Sequence, residues 1–280
     1  MSPLPPVPVR LQTLHVLGQP AHVFAGGSGS TVLLLLHGGW GGAALHWSRV
    51  WDLLGRKCWI VAPDLPGLGD LTQPGRGSFA AYVAWLQALL DALDVDQVVC
   101  IGNSFGASLA WSLAGRAPQR VTGLVLVDGF AVARTPPLLL WLGERRLGRA
   151  LLRAVVQRVS FRPGLLSRAF ADPARAPVTL QAAVSGAQQL EAFVDCLLHG
   201  DGAPQPRAPI LVLWGEADRL PGTRVATGLQ LAAKLPGAQF HALADAGHFP
   251  QLEQPQAFAE ALLAFVHGQA EAAGPDPTSP

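Results

Sequence analysis

The run Val98-Val99-Cys100-Ile101-Gly102-Asn103-Ser104-Phe105-Gly106-Ala107-Ser108-Leu109-Ala110 constrains this chain more than any other stretch. Four apolar, mostly β-branched residues predict a buried strand, and the small and apolar residues from Ala107 on predict a helix. A chain that turns from strand to helix within a residue forces the turning residue into a strained conformation and crowds its neighbours. Glycine at 102 and 106 relieves the crowding. Ser104 is left at the tip with its hydroxyl exposed, and the amide of Phe105 points where an oxyanion forms. Gly-x-Ser-x-Gly arises by chance in a chain with 31 glycines, so the flanking strand and helix are what separate a nucleophile from a structural serine in a βα turn.

The pattern repeats along the chain. Residues 7–17 alternate as an edge strand, and His22-Val23-Phe24-Ala25 is a short second strand before Gly26-Gly27-Ser28-Gly29, which reads as a hairpin turn rather than a phosphate loop because no helix follows it. Buried strands are predicted at 31–36, 57–62, 98–101, 121–127, 209–214 and 238–243. Helices are predicted at 45–54, at 78–93 with Ser78 as N-cap, at about 222–234, and from Pro255 to about His267. Strands alternating with helices imply an α/β architecture: a mostly parallel eight-stranded sheet flanked by helices on both faces, with the ligand site at the carboxyl ends of the strands. The rhythm breaks over 131–206, which reads as an inserted helical cap. Residues 1–130 and 207–270 then form the core, and 271–280 a frayed tail.

Composition excludes several functions. A formal net charge of +1, from 20 basic and 19 acidic residues, gives no field to steer nucleic acid. Cys58, Cys100 and Cys196 lie far apart with no Cys-x-x-Cys, so neither a disulfide framework nor a metal site is expected, and no cofactor is implied. No basic start precedes an apolar run, and no membrane-length apolar window occurs, so a cytoplasmic protein without a membrane span is expected.

A serine hydroxyl needs a general base, and the base needs a carboxylate to orient it. Asp218 follows the strand at 209–214, and His248 follows the strand at 238–243. Asp128 also ends a strand and competes with Asp218 for the same histidine. His37 is better suited to hydrogen bonding beneath a glycine loop than to acting as a second base, and Asp64 to pinning its own loop.

These pieces, His37-Gly38-Gly39-Trp40, Asp64-x-Pro66-Gly67-x-Gly69, Gly102-Asn103-Ser104-Phe105-Gly106, Gly215-x-x-Asp218 and Gly247-His248-Phe249-Pro250, resemble those of the α/β-hydrolase fold over nearly the full length of the chain. The resemblance implies Ser104 as nucleophile, His248 as base, Asp218 as its orienter, and an oxyanion hole from the amides of Phe105 and Gly39, with Trp40 as the next candidate. It implies a serine hydrolase acting on a small-molecule ester or related acyl compound. Asn103 and Phe105 beside the serine also resemble hydrolases that cleave carbon–carbon bonds in ring-fission products. A small-molecule binding or receptor protein retaining the triad is the reading from another class.

Within the expected cap, Arg145, Arg146, Arg149 and Arg153 fall within about 100° of a helical wheel, with Leu147, Leu151, Val155 and Val159 opposite. The plain expectation is a helix packed on the site by its leucines with its arginines in water; the rival is a helix lying on a membrane surface. Arg158, on the apolar side, or Arg162 is a candidate partner for a substrate carboxylate. Leu138 to Leu142 suggest an apolar entrance. Trp40, Phe105, Trp141, Arg158 and Phe249 are the candidate substrate contacts.

Overall fold

In the computed structural model, residues 7–68, 77–129, 145–160, 163–183, 194–196 and 202–273 are described, together with 141, 143 and 198. Eight strands form one sheet: β1 (Val7–Val16), β2 (Gln19–Gly27), β3 (Val32–Leu36), β4 (Trp59–Pro63), β5 (Val98–Asn103), β6 (Val121–Val127), β7 (Ile210–Gly215) and β8 (Gln239–Leu243), in the order β1-β2-β4-β3-β5-β6-β7-β8. β1 pairs antiparallel with β2, and β2 with β4. All later pairings are parallel. The hairpin turn lies at Leu17-Gly18, both at positive φ (51° and 76°) as a two-residue loop of matching twist requires. Gly26 and Gly27, expected to be the turn, instead end β2 opposite Ile60 and Trp59.

Between the strands run α1 (Ala43–Trp47), α2 (Trp51–Leu54), α3 (Phe79–Ala92) and α4 (Phe105–Arg116). After β6 come α5 (Arg146–Ser160), α6 (Leu166–Ala169) and α7 (Val178–Ala183). Beyond β7 lie α8 (Val225–Lys234), α9 (Pro250–Glu253) and α10 (Pro255–Ala273). Ser78 caps α3 by accepting from the Ala81 amide at 3.2 Å. The helix expected at 45–54 is two short ones, because the Val50 amide bonds back only three residues, to Trp47. The last helix runs beyond His267 through Ala273, three residues into the expected tail: the good helix formers Gln269 to Ala273 carry it past Gly268 as far as Gly274-Pro275.

Alternate strand residues face opposite sides of the sheet. Leu34, Leu36, Cys100, Leu124, Leu126, Val212 and Trp214 are buried on one side with residues of α3, α4 and α8. Leu33, Leu35, Val99, Ile101, Val125, Val127, Leu211 and Leu213 are buried on the other with residues of α1, α2 and α10. Each such side chain contributes roughly 1.5–3 kcal/mol on burial, and together they make the sheet a rigid platform. A third cluster joins Leu166, Phe170, Leu180, Val194 and Leu198, from between β6 and β7, to Trp40 and Phe249. Among the described residues no helix is long and apolar enough to cross a membrane.

The strand order places the site. From β3 the chain moves outward to β4 and then returns past β3 to β5, so the loops leaving the adjacent strands β3 and β5 diverge. A crevice opens at such a switch point, at the carboxyl ends of the strands. His37-Gly38-Gly39-Trp40 leaves β3 there, and Ser104 leaves β5.

Candidate active site

Ser104 adopts φ 55°, ψ −114°, a conformation L-residues avoid, and immediately precedes α4. Three features hold it there. The Ser104 amide donates to the Val127 carbonyl at 2.9 Å. A side chain at 102 would bring its Cβ to 2.1 Å from the Gly106 oxygen, and one at 106 would come to 2.2 Å from the Leu36 oxygen, so only glycine permits the turn. The ring of Phe105 is buried beside Phe79 and Tyr82, at centroid distances of 5.6 and 6.1 Å. That ring, expected to be a substrate contact, is packed in the core and anchors the elbow there. Its amide remains at the head of α4.

His248 and Asp218 are both buried, and the Nδ1–H of His248 donates to Asp218 Oδ2 at 2.7 Å. The other oxygen of Asp218 accepts from the Leu220 amide at 2.9 Å. The His248 amide donates to the Ala169 carbonyl at 2.6 Å, tying it to the segment between β6 and β7. Its carbonyl accepts from Asn103 Nδ2 at 3.0 Å, so the residue beside Ser104 holds the histidine loop directly. Glu253 accepts from the Gly247 and Ala171 amides, each at 2.7 Å, bracing the same loop. Burial raises the Glu253 carboxyl above its ordinary range.

Asp128, at φ 43° beyond the end of β6, is fully buried against Asp218 and accepts from the Gly215 amide at 3.1 and 3.2 Å. Asp218, not Asp128, receives the hydrogen bond of His248. Ligand atoms of Asp128, Asp218 and His248 lie within 4.8 Å of one another, and their mutual hydrogen bonds and those to Leu220 and Gly215 account for the grouping.

Two buried histidines shape the glycine loop. His37 donates from Nδ1 to the Gly38 carbonyl at 2.7 Å and accepts at Nε2 from the Leu65 amide at 2.9 Å. His46, which sequence reasoning missed, donates from Nε2 to the Trp40 carbonyl at 2.8 Å, while its Nδ1 faces the Gly38 amide at 3.4 Å. Desolvation lowers His37 to about 4 and His46 to about 3, so both are neutral rings with fixed tautomers. Asp64 accepts from the Ala43 amide at 2.7 Å, so it also holds the first turn of α1, across from its own loop.

Trp40 and Phe249 flank His248, with centroids 6.5 and 5.2 Å from its ring. Phe249 is buried between Phe170 and His46, at 5.2 and 5.4 Å. Trp141 is half exposed beneath the Arg145 guanidinium, 3.4 Å from its ring centre. The apolar stripe of α5 faces outward, with Leu147 83%, Leu151 63% and Val155 48% exposed, while Leu152 and Val156 make the inward contact. This reverses the expected packing and leaves Arg158, on the same stripe, exposed to solvent. Arg149 pairs with Asp195 at 2.5 Å. Arg162, Leu138 to Leu140 and Leu142 lie outside the described residues.

The chain matches the alpha/beta hydrolase family over residues 33–261. It is 30% identical over 265 residues to the 2-hydroxymuconate semialdehyde hydrolase of Pseudomonas sp. (strain CF600), covering 86% of this chain and 88% of that one. It is also 30% identical to the dihydrolipoyllysine-residue acetyltransferase component of the acetoin cleaving system of Pseudomonas putida, over 86% of this chain but only 65% of that one. Among solved structures it is similar to 2-hydroxy-6-oxo-6-phenylhexa-2,4-dienoate hydrolase from Rhodococcus sp. strain RHA1, with TM-score 0.73, 22% identity, and 93% and 99% of the chains covered. It is similar also to a thermophilic esterase from Thermogutta terrifontis, with TM-score 0.69, 20% identity, and 93% and 99% covered. The match to most of its length, on an eight-stranded sheet of this topology, shows that the chain belongs to the alpha/beta hydrolase family.

Proposed function

We propose that the protein is a serine hydrolase that cleaves a small ester or related acyl compound through an acyl-enzyme, with Ser104 as nucleophile, His248 as general base and Asp218 as its orienting carboxylate. The observation that carries this reading is the buried 2.7 Å bond from His248 Nδ1 to Asp218 Oδ2, on a loop whose His248 carbonyl is held by Asn103, the neighbour of a serine at a strained elbow. With Nδ1–H committed to Asp218, the lone pair of Nε2 is the base. It takes the Ser104 proton as Oγ attacks the carbonyl, and returns it to the leaving group. The developing oxyanion is met by the amides of Phe105 and of Gly39 or Trp40, whose loop the two neutral histidines hold in advance. Water, deprotonated by the same ring, then releases the acyl group.

In this proposal residues 131–206 form a cap, and its Phe170 packs on Phe249 to shield the histidine from bulk water. A second reading, cleavage of a carbon–carbon bond in a ring-fission product, is favoured by the relative named 2-hydroxymuconate semialdehyde hydrolase and by Asn103 and Phe105 flanking the serine. A panel of p-nitrophenyl esters and a vinylogous diketo acid, run on wild type and S104A, tests both. Ester turnover that S104A abolishes supports the first reading, and diketo-acid turnover about 100-fold faster in kcat/KM supports the second. Undiminished turnover in S104A refutes the serine mechanism. Tight binding with no product supports a binding protein instead.

A further inference from the structure

Asp128 has no place in the relay above, yet it is fully buried, and a carboxyl oxygen of Asp128 lies within 4.8 Å of one of the equally buried Asp218. Two ionised carboxylates this close in a buried site present only acceptors and like charge to each other, and one proton held between them relieves both. The surrounding donors decide which one holds it. Asp218 receives His248 Nδ1–H on one oxygen and the Leu220 amide on the other. Asp128 receives a single amide, that of Gly215, spread over both its oxygens. The titratable groups bearing on Asp128 are Asp218, His248 and Glu253, and the two carboxyls both disfavour a further negative charge there.

We propose that Asp128 is a neutral carboxylic acid whose O–H donates a hydrogen bond to Asp218, so that the pair carries one negative charge and Asp128 acts as a positioning residue for the Asp218–His248 bond. Burial and the neighbouring Asp218 charge push the Asp128 carboxyl well above its ordinary range, consistent with a group that stays protonated at neutral pH. The donated hydrogen bond fixes the plane of the Asp218 carboxylate, which must meet both the imidazole and the Leu220 amide. It also keeps a second negative charge from forming beside the Asp218–His248 bond.

This inference deepens the proposed function, since it concerns the same relay, but its primary test does not depend on turnover. Infrared difference spectra at pH 7.5 are recorded between wild type and D128N, with E253Q compared because Glu253 is also raised. A protonated-carboxyl stretch present in wild type, S104A and E253Q and lost in D128N is the expected result. Its absence from wild type, or its persistence in D128N, overturns the proposal whether or not the protein hydrolyses anything. If esters are turned over, D128L should lower kcat about tenfold or more and move the histidine limb of the pH profile, whereas D128N, whose amide can donate to Asp218 and accept from Gly215, should restore kcat to within about threefold. Equal losses in D128N and D128L at unchanged pH profile overturn the positioning role. D128N should also raise Tm at pH 7.5, because asparagine folds without taking up a proton, and a lowered Tm with no infrared loss counts against the account.

Discussion

Lowering the pH charges His46 in the unfolded chain but not in the fold. The ring is fully buried, its two nitrogens are committed to the Trp40 carbonyl and the Gly38 amide, and desolvation lowers it from 6.5 to about 3. Above pH 6.5 neither state holds the proton, and the histidine adds no pH-dependent cost. As pH falls toward the folded value the unfolded state gains a proton the folded state refuses, so stability is lost. At pH 5 the unfolded ring is stabilised by RT ln(1 + 10^1.5), about 2 kcal/mol, and the folded ring by almost nothing. H46Q removes this titration while keeping a donor for the Trp40 carbonyl. The stability advantage of wild type over H46Q should therefore shrink by about 2 kcal/mol between pH 7.5 and pH 5, or about 4–8 °C in relative Tm. Titrations common to both proteins, such as those of Glu253 and Asp128, cancel in that difference. Denaturant unfolding of the pair at the two pH values measures it. A gap independent of pH would refute the claim that His46 is buried as a neutral ring.

Other perturbations follow from the same geometry. D218N leaves one acceptor oxygen for two donors, the Leu220 amide and His248 Nδ1–H, so an amide NH2 meets the ring and disfavours the needed tautomer; kcat on an activated ester should fall on the order of 10^3-fold or more, with little change in the circular dichroism spectrum. G102A places a methyl against the Gly106 carbonyl and should cost about 3 kcal/mol or more, read as a lower denaturation midpoint at unchanged m value. E253Q cannot accept from both the Gly247 and Ala171 amides and should cost about 1–3 kcal/mol, with faster amide exchange at Gly247 and His248. Unchanged exchange there would show that Glu253 does not hold the histidine loop.

What could be read in the sequence was local or periodic. The elbow is visible because the strand, its glycines and the helix are contiguous from Val98 to Ala110, and the alternation that divides Leu33 and Leu35 from Leu34 and Leu36 is a property of any strand in a covered sheet. Long-range choices were not visible. Nothing around Leu45-His46-Trp47 marks a ring that grips the loop from Gly38 to Trp40, because that role exists only once α1 folds back on β3. The pattern of α5 reveals an amphipathic helix but not which side meets the protein. Leu152 and Val156 take that contact and turn Leu147, Leu151 and Arg158 outward. Asp128 and Asp218 both end strands, and only their packing separates the one that accepts from His248 from the one that faces Gly215.

The central claim is that Ser104 is activated by His248 and Asp218, and a fluorophosphonate probe reads it most directly. Peptide mapping after brief labelling should find one adduct, on Ser104, with the labelling rate falling steeply in H248A and D218N and no adduct in S104A. A folded wild-type protein that stays unlabelled, or carries its adduct elsewhere, would contradict the account.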